Sequence, residues 1–272
     1  MTVAHNTVVV DELTQNGGDA RAAETVSGRR HFFEASDQNV QAMSAMADDH
    51  YDGVRMQRTM LLIRDVAMPY PFVVDLYRLV SNATHSYDYP IHFNGQPIFT
   101  NVDYERPEAL HPLGEGHGYQ HLWKEGHGTT DDPVQFTWLD GSRYYTFHAA
   151  GAPETEVVFA RTGAADPDFN LRSEPAILLR REAGVHLFAS VLEPHGTFDE
   201  ARETSTQARP LIEGIEIVGH DDAASVIRIH GPGTTWTVIV NNGPSTNETR
   251  RLQAGGRSFE LDGNVTVNRS EE

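Results

Sequence analysis

Four of the fourteen histidines in this 272-residue chain, His111, His117, His121 and His127, crowd into one glycine- and proline-rich stretch, DYERPEALHPLGEGHGYQHLWKEGHGTT (103–130). With Glu115 and Glu125 beside them, these are donors of the type that hold a zinc-like ion. Residues four apart share a helical face but separate widely along a strand. His117 and His121 could therefore chelate together only if residues 118–120 form a helical turn, which Gly118 disfavours. A site here has to assemble from a loop, and a set of hydrogen-bonded loop histidines is the alternative.

A second grouping, HSYDYPIHFNGQ (85–96), brings His85, Asp88 and His92 close in sequence. On a strand Asp88 and His92 share one face and His85 takes the other. A carboxylate beside an imidazole sets its tautomer and raises its pKa, which suits either a general base or a buried structural network. Arg161 and Arg172 flank the polar connector GAADPDFNLRSEP (163–175), where Asp166-Pro167 and Asn170 are turn formers. Their guanidinium forks can grip a carboxylate through two parallel donors, or pair with one of the many acids of this chain. EPHGTFDEARE (193–203) reads as a loop after a strand, exposing Glu193, His195 and Glu203. There is no Gly-x-Ser-x-Gly elbow and no phosphate loop, so acyl transfer through serine and nucleotide chemistry lack support. With no cysteine, any metal must be held by His, Asp or Glu.

The elements that must position these residues are short β-rich runs separated by turn signals. Candidate strands include AHNTVVVD (4–11), RHFFEAS (30–36), VQAMSAMA (40–47), VRMQRTMLLIR (54–64), PFVVDLYRLVS (71–81), PVQFTWL (133–139), RYYTFHAA (143–150), TEVVFAR (155–161), AILLRR (176–181) and VHLFASVLEP (185–194). Phe136 and Trp138 against Gln135 and Thr137, and Ile215 and Ile217 against Gly214 and Glu216, alternate as two-faced antiparallel strands do. Asp140-Gly141 and Ala183-Gly184 each sit between such runs and predict hairpins. No stretch keeps the helical period for three capped turns. The pattern predicts an all-β fold, a large antiparallel multi-stranded β-sandwich with few or no helices. Residues 1–209 form its main domain, and the strands of 210–272 form a small terminal sheet packed on it.

The charge balance narrows the partners. Thirty-nine acids against 21 bases leave a net charge of -18, with Lys124 the only lysine. Such a surface repels nucleic acid and anionic membranes. It suits a protein hydrated in concentrated salt, or equally a genome that encodes Arg in place of Lys. Residues 1–13 carry no basic and apolar export pattern. Four sequons, at Asn82, Asn247, Asn264 and Asn268, matter only in an exported chain.

Taken in order, AHNTVVVDE, VRMQRTMLLI, PFVVDLYRLVS, HSYDYPIHFNGQ, GYQHLW, FARTGAADPDFNLRSEPAILLRR and SVLEPHG resemble the C-terminal β-sandwich domain of heparinase II/III-like polysaccharide lyases. The nearest resemblance is to the oligoalginate lyases of polysaccharide lyase family 17, over residues 4 to 200. It implies cleavage of a uronate polysaccharide or oligosaccharide, alginate or a relative, by β-elimination. One group neutralises the substrate carboxylate, a base removes the adjacent ring proton, and an acid, usually Tyr, protonates the leaving oxygen. In such lyases these groups lie mostly on an N-terminal α/α-toroid, and family members are commonly periplasmic or secreted. The sandwich carries a zinc site built from an upstream His, an upstream Asp and the histidine of AHNT, here His5. No catalytic residue is carried over to this chain, whereas His195 and Glu203 are candidates for lining the substrate cleft.

One imidazole does not hold zinc, which takes three or four protein ligands. The resemblance therefore implies a lyase sandwich that works with a toroid, in cis or in trans, or a non-catalytic carbohydrate-binding or structural module derived from one. Residues 1–272 alone are expected to bind zinc weakly and to form no unsaturated uronate from alginate, read as the absence of new ultraviolet absorbance from the enoate.

Overall fold

The computed structural model describes residues 1–165 and 173–271. Two long strands, Phe72–His92 and Pro175–Asp199, run antiparallel to one another along most of their length, and the molecule is laid out around that pair. Their halves belong to different layers. Residues 72–80 and 185–192 pair within one layer, flanked by Arg55–Ile63, Val40–Ala47 and Arg29–Glu34 on one side. On the other side come Arg143–Ala149, Val134–Asp140 and the edge strand Gln96–Thr100. Residues 85–92 and 176–183 pair in the second layer, with Val9–Val10 on one side and Thr155–Thr162 and Leu122–Thr130 on the other.

The alternation of the long strands explains the stacking. Tyr77, Leu79 and Phe188 from the first layer meet Tyr89, Ile91, Ile177 and Leu179 from the second in one core between the layers. The opposite face of the first layer shows Phe72, Val74, Leu76, Leu187, Ala189 and Val191. A separate four-stranded antiparallel sheet covers that face: Gly214–His220, Ala224–Gly231, Thr234–Asn241 and Val265–Glu271, in spatial order. Its Ile215, Ile227, Ile229 and Trp236 pack there, and the rings of Phe72 and Trp236 are 5.2 Å apart. The chain is all-β, and its one α-helix among the described residues, Ala20–Thr25, is a short turn capped by Asp19.

Several expected elements differ from the structure. Ala183-Gly184 makes no hairpin; residues 175–199 are one strand, with a register shift between Ala183 and Val185. Two-residue hairpin turns need positive φ, which Gly141 supplies at 57° in the predicted 140–141 hairpin and Gly184 does not. Gly184 instead lets the carbonyls of Ser81 and Ala83 approach within 3.1 Å of where a Cβ would stand. The last third of the glycine-rich stretch 103–130, expected as a loop or a covered edge segment, is the strand Leu122–Thr130. Its Gly128 exists for close approach, since a Cβ there would stand 2.1 Å from the Asp103 carbonyl oxygen. The sequon at Asn264 is buried, its side chain donating to Glu34 and accepting from Asn241 and the Thr246 backbone.

The sheets are tied by a buried carboxylate. Glu193, on the second long strand, is 0% exposed and accepts the backbone N–H groups of Leu211 (2.7 Å) and Ile212 (3.0 Å), the connector that leads into the terminal sheet. His148 Nε2 lies 3.4 Å away. Replacing Glu193 by Ala strands two donors and is expected to lower the unfolding free energy by about 3 kcal/mol, with Glu193→Gln costing less because it keeps one acceptor. Urea unfolding of the two variants checks both values.

Burial pushes the His186 imidazole down to about 3, and Arg181 and His220 add to the shift. His186 is thus neutral in the folded chain, while the unfolded chain takes up a proton near the ordinary value of 6.5. Its contribution is complete above pH 6.5 and is lost as pH falls from there towards 3, because the unfolded state then binds more protons. Between pH 7 and pH 5 this removes about 2 kcal/mol. Urea unfolding at the two pH values is expected to show that loss, and His186→Gln to reduce it.

Candidate functional site at the N-terminal turn

The segment expected to be a strand from residue 4 to 11 is instead a 3-10 turn, Thr2–Ala4, followed by an extended passage in which only Val9–Val10 joins the sheet. Val3 anchors the turn in an apolar pocket with Tyr119, Leu122, Val158 and Ala176. Before Val9, where the ladder begins, the Asn6 side chain meets the His92 backbone. It accepts the His92 N–H (2.7 Å) and donates to the His92 carbonyl (3.2 Å), taking the place of a neighbouring strand's backbone. His92 in turn donates Nε2–H to the Val3 carbonyl at 2.7 Å.

These clasps leave His5 exposed but held. Its N–H donates to the Thr2 carbonyl (3.0 Å) and its carbonyl accepts from the Thr7 N–H (2.8 Å). Its ring has no hydrogen-bond partner among the described residues. Burial pushes the neighbouring His92 imidazole below its ordinary value; the Val3 carbonyl opposes this, and His5 adds to it.

Beneath the turn lies a buried ion pair. Arg58 grips Asp75 with a two-pronged fork (3.1 and 2.6 Å) and donates a third bond to the Asn6 carbonyl at 2.7 Å. Tyr89 donates its hydroxyl to the same carboxylate at 2.5 Å. Burial, and then the Asp75 charge, hold the Tyr89 phenol well above its ordinary range. Burial works against the Arg58 charge, and Asp75 more than offsets it. A second set sits one layer over: Arg180 forks onto Asp88 (2.6 and 2.7 Å) and reaches Glu12 (2.6 Å), while Tyr119 donates to Asp88 at 2.5 Å. Burial, with Asp88 next, raises the Tyr119 phenol too. Both tyrosines stay protonated and committed to a carboxylate, so each is structural.

The other expected residues are dispersed. His111 and His121 donate Nδ1–H to the carbonyls of Pro112 and Ala164, and His117 accepts the Thr14 N–H. His127 lies on a strand facing Glu105. Among the described residues no three His, Asp or Glu side chains come together as a metal site. The carboxylate-imidazole pair of the 85–96 stretch is Asp11 with His85 at 2.8 Å, not Asp88 with His92. Arg161 pairs with Glu125 at 2.6 Å, and Arg172 lies outside the described residues.

The presumed loop 193–203 is strand as far as Asp199, which overturns the expected exposure of Glu193 and His195. His195 is 1% exposed, with Nε2 2.8 Å from the Thr146 hydroxyl and Nδ1 donating to the Gln207 carbonyl. No ring nitrogen is left for a ligand. Glu203 is exposed in a turn with φ 52°. The holding residues Asn6, Arg58, Asp75, Arg180 and Glu12 were not singled out from the sequence. Their signal is the lone aspartate in the apolar run VVDLY and the aspartate set between two tyrosines in SYDYP, each of which calls for a partner once buried.

Residues 1–207 match the family model described as heparinase II/III-like, C-terminal. The chain belongs to this family. It is 34% identical over 251 residues to an alginate lyase of Stenotrophomonas maltophilia, covering 91% of this chain and 34% of that protein. It is 30% identical over 272 residues to an exo-oligoalginate lyase of Saccharophagus degradans, covering 98% and 37%. A heparan sulfate lyase from Pedobacter heparinus shares the fold with a TM-score of 0.57 at 15% identity, over 89% of this chain and 31% of that one. This heparinase II/III-like chain thus spans about a third of the length of the relatives it matches.

The Asn6 clasp carries a measurable load. Asn6→Ala removes both bonds to His92 and is expected to lower stability by about 1–2 kcal/mol in urea unfolding.

Proposed function

We propose that this chain is the β-sandwich portion of an alginate-lyase-like enzyme that cleaves a uronate polysaccharide or oligosaccharide by β-elimination. The observation that carries the reading is the 34% identity to an alginate lyase, sustained over 91% of the chain. The groups that neutralise the substrate carboxylate, take the ring proton and protonate the leaving oxygen are contributed by the portion of the relatives outside the matched third. The toroid implied by the family resemblance is that portion, in cis or in trans.

His5 is the contribution of this chain to the metal centre. An exposed imidazole with a pinned backbone and a free ring suits a ligand that meets partners from elsewhere. The described residues fit one corner of a zinc site and not a whole one, since no further His, Asp or Glu pair joins His5. Zinc, when bound, supplies a fixed positive charge and holds the two portions in register. His195 has no place in the substrate cleft on this reading; Glu203 retains one as an exposed carboxylate.

A chimera tests the proposal. The first two-thirds of the Stenotrophomonas maltophilia enzyme, fused to residues 1–272 in place of its own last third, is expected to release unsaturated uronate from alginate and to bind zinc. His5→Ala in the chimera is expected to lower zinc affinity by at least about tenfold, with activity falling alongside. A folded chimera without product, or one indifferent to His5, contradicts the proposal.

A further inference from the structure

The first layer ends at Gln96–Thr100, an edge strand that carries no charged residue. Ile98 and Phe99 on it are 48% and 51% exposed, an unusual degree for large apolar side chains on one short strand. Facing them is the segment 104–110, and between the two lies a cleft of about 550 Å³, within the range of small-ligand sites. Its wall is a series of rings: Tyr104 on Phe159 at 4.7 Å, Phe159 near Phe136 at 6.1 Å, Phe136 on Phe93 at 5.2 Å. None of the residues that hold the His5 turn by hydrogen bonds lines it.

The polar groups at this cleft are few and planar. Arg106 is tethered to Tyr104, its Nη2 3.2 Å from the hydroxyl and its guanidinium 5.8 Å from the ring centroid. It makes no ion pair among the described residues, in a chain where acids outnumber bases 39 to 21. Glu125 pairs with Arg161 and also acts on the Arg106 charge, and Glu108 lies on the rim. An exposed aromatic face, a carboxylate acceptor and a guanidinium without an ion pair match the three surfaces of a uronate ring. Its C–H face packs on an aromatic ring, its hydroxyls donate to carboxylates, and its own carboxylate takes two parallel N–H donors.

We propose that this cleft is an accessory subsite for a uronate residue of a saccharide chain, with Phe99 as its stacking platform and Arg106 as its carboxylate anchor. The proposal rests on the uronate reading above and adds a place on this chain that grips the polymer away from His5. A chain of net charge -18 repels a polyuronate at long range, so the contact works where salt screens that field and the local arginine dominates.

Binding to the 272-residue chain tests it without catalysis. An alginate trisaccharide and its carboxyl-reduced, neutral counterpart are titrated at about 0.15 M ionic strength, followed by calorimetry and by two-dimensional NMR of the aromatic side chains. Saturable binding of the uronate is expected, with Phe99 and Tyr104 resonances shifted. Arg106→Gln is expected to weaken the uronate about tenfold and the neutral sugar less than about twofold, whereas Phe99→Ala weakens both. Both side chains are exposed, so the variants keep the fold. Uronate binding unchanged in both variants, or no saturable binding by the parent chain, overturns the subsite; the latter leaves an apolar surface that another protein portion covers. An inactive chimera beside intact binding at the cleft overturns the lyase reading alone, and an active chimera beside absent binding overturns the subsite alone.

Discussion

Two carboxylates buried on one strand govern much of this structure. Asp75 and Asp88 lie in the two halves of Phe72–His92, in different layers, and each is gripped by an arginine fork and a tyrosine hydroxyl. Taking a carboxylate out of water costs several kcal/mol, and only well-made partners offset that. Arg58 and Arg180 come from other strands, and each spends a remaining donor on the N-terminal segment, at the Asn6 carbonyl and at Glu12. A requirement local to one strand thereby fastens the first dozen residues to both layers.

That fastening gives His5 its character. Val3 is buried, Asn6 substitutes for a strand partner, and between them one imidazole projects outward with its backbone restrained on both sides. A frayed terminus would have had no reason to recruit two buried ion pairs. The chain matches about a third of the length of its relatives, and on the proposed reading the exposed ring meets its further ligands from the remainder.

Much of the fold was legible in the sequence because its signals are local. Phe136 and Trp138 alternate with polar residues and are strand; Asp140-Gly141 turns with the positive φ such a hairpin requires. Ala183-Gly184 has the same local look, but its glycine serves a carbonyl contact across the sheet at Ser81 and Ala83, which no window of sequence shows. Gly126 and Gly128 made a strand resemble a loop for the same reason, as the Tyr104 ring and the Asp103 carbonyl lie where their side chains would be. His195 looked exposed because Pro194 and Gly196 beside it suggest a loop. The partner strand Arg143–Ala149 carries it inward nonetheless. His5 was found through resemblance, while the residues that hold it come from sequence distances of tens of positions and had only the two misplaced aspartates to announce them.

The N-terminal turn is a built part of the fold that leaves the His5 ring exposed on a restrained backbone. Native-state hydrogen exchange of the His5, Thr7 and His92 amides tests it most directly, since each is hydrogen-bonded within the clasp. Protection approaching that of the amides in the paired long strands is expected, lost together in Asn6→Ala. Exchange of all three at the rate of an unprotected terminus, with the long strands still protected, would contradict it.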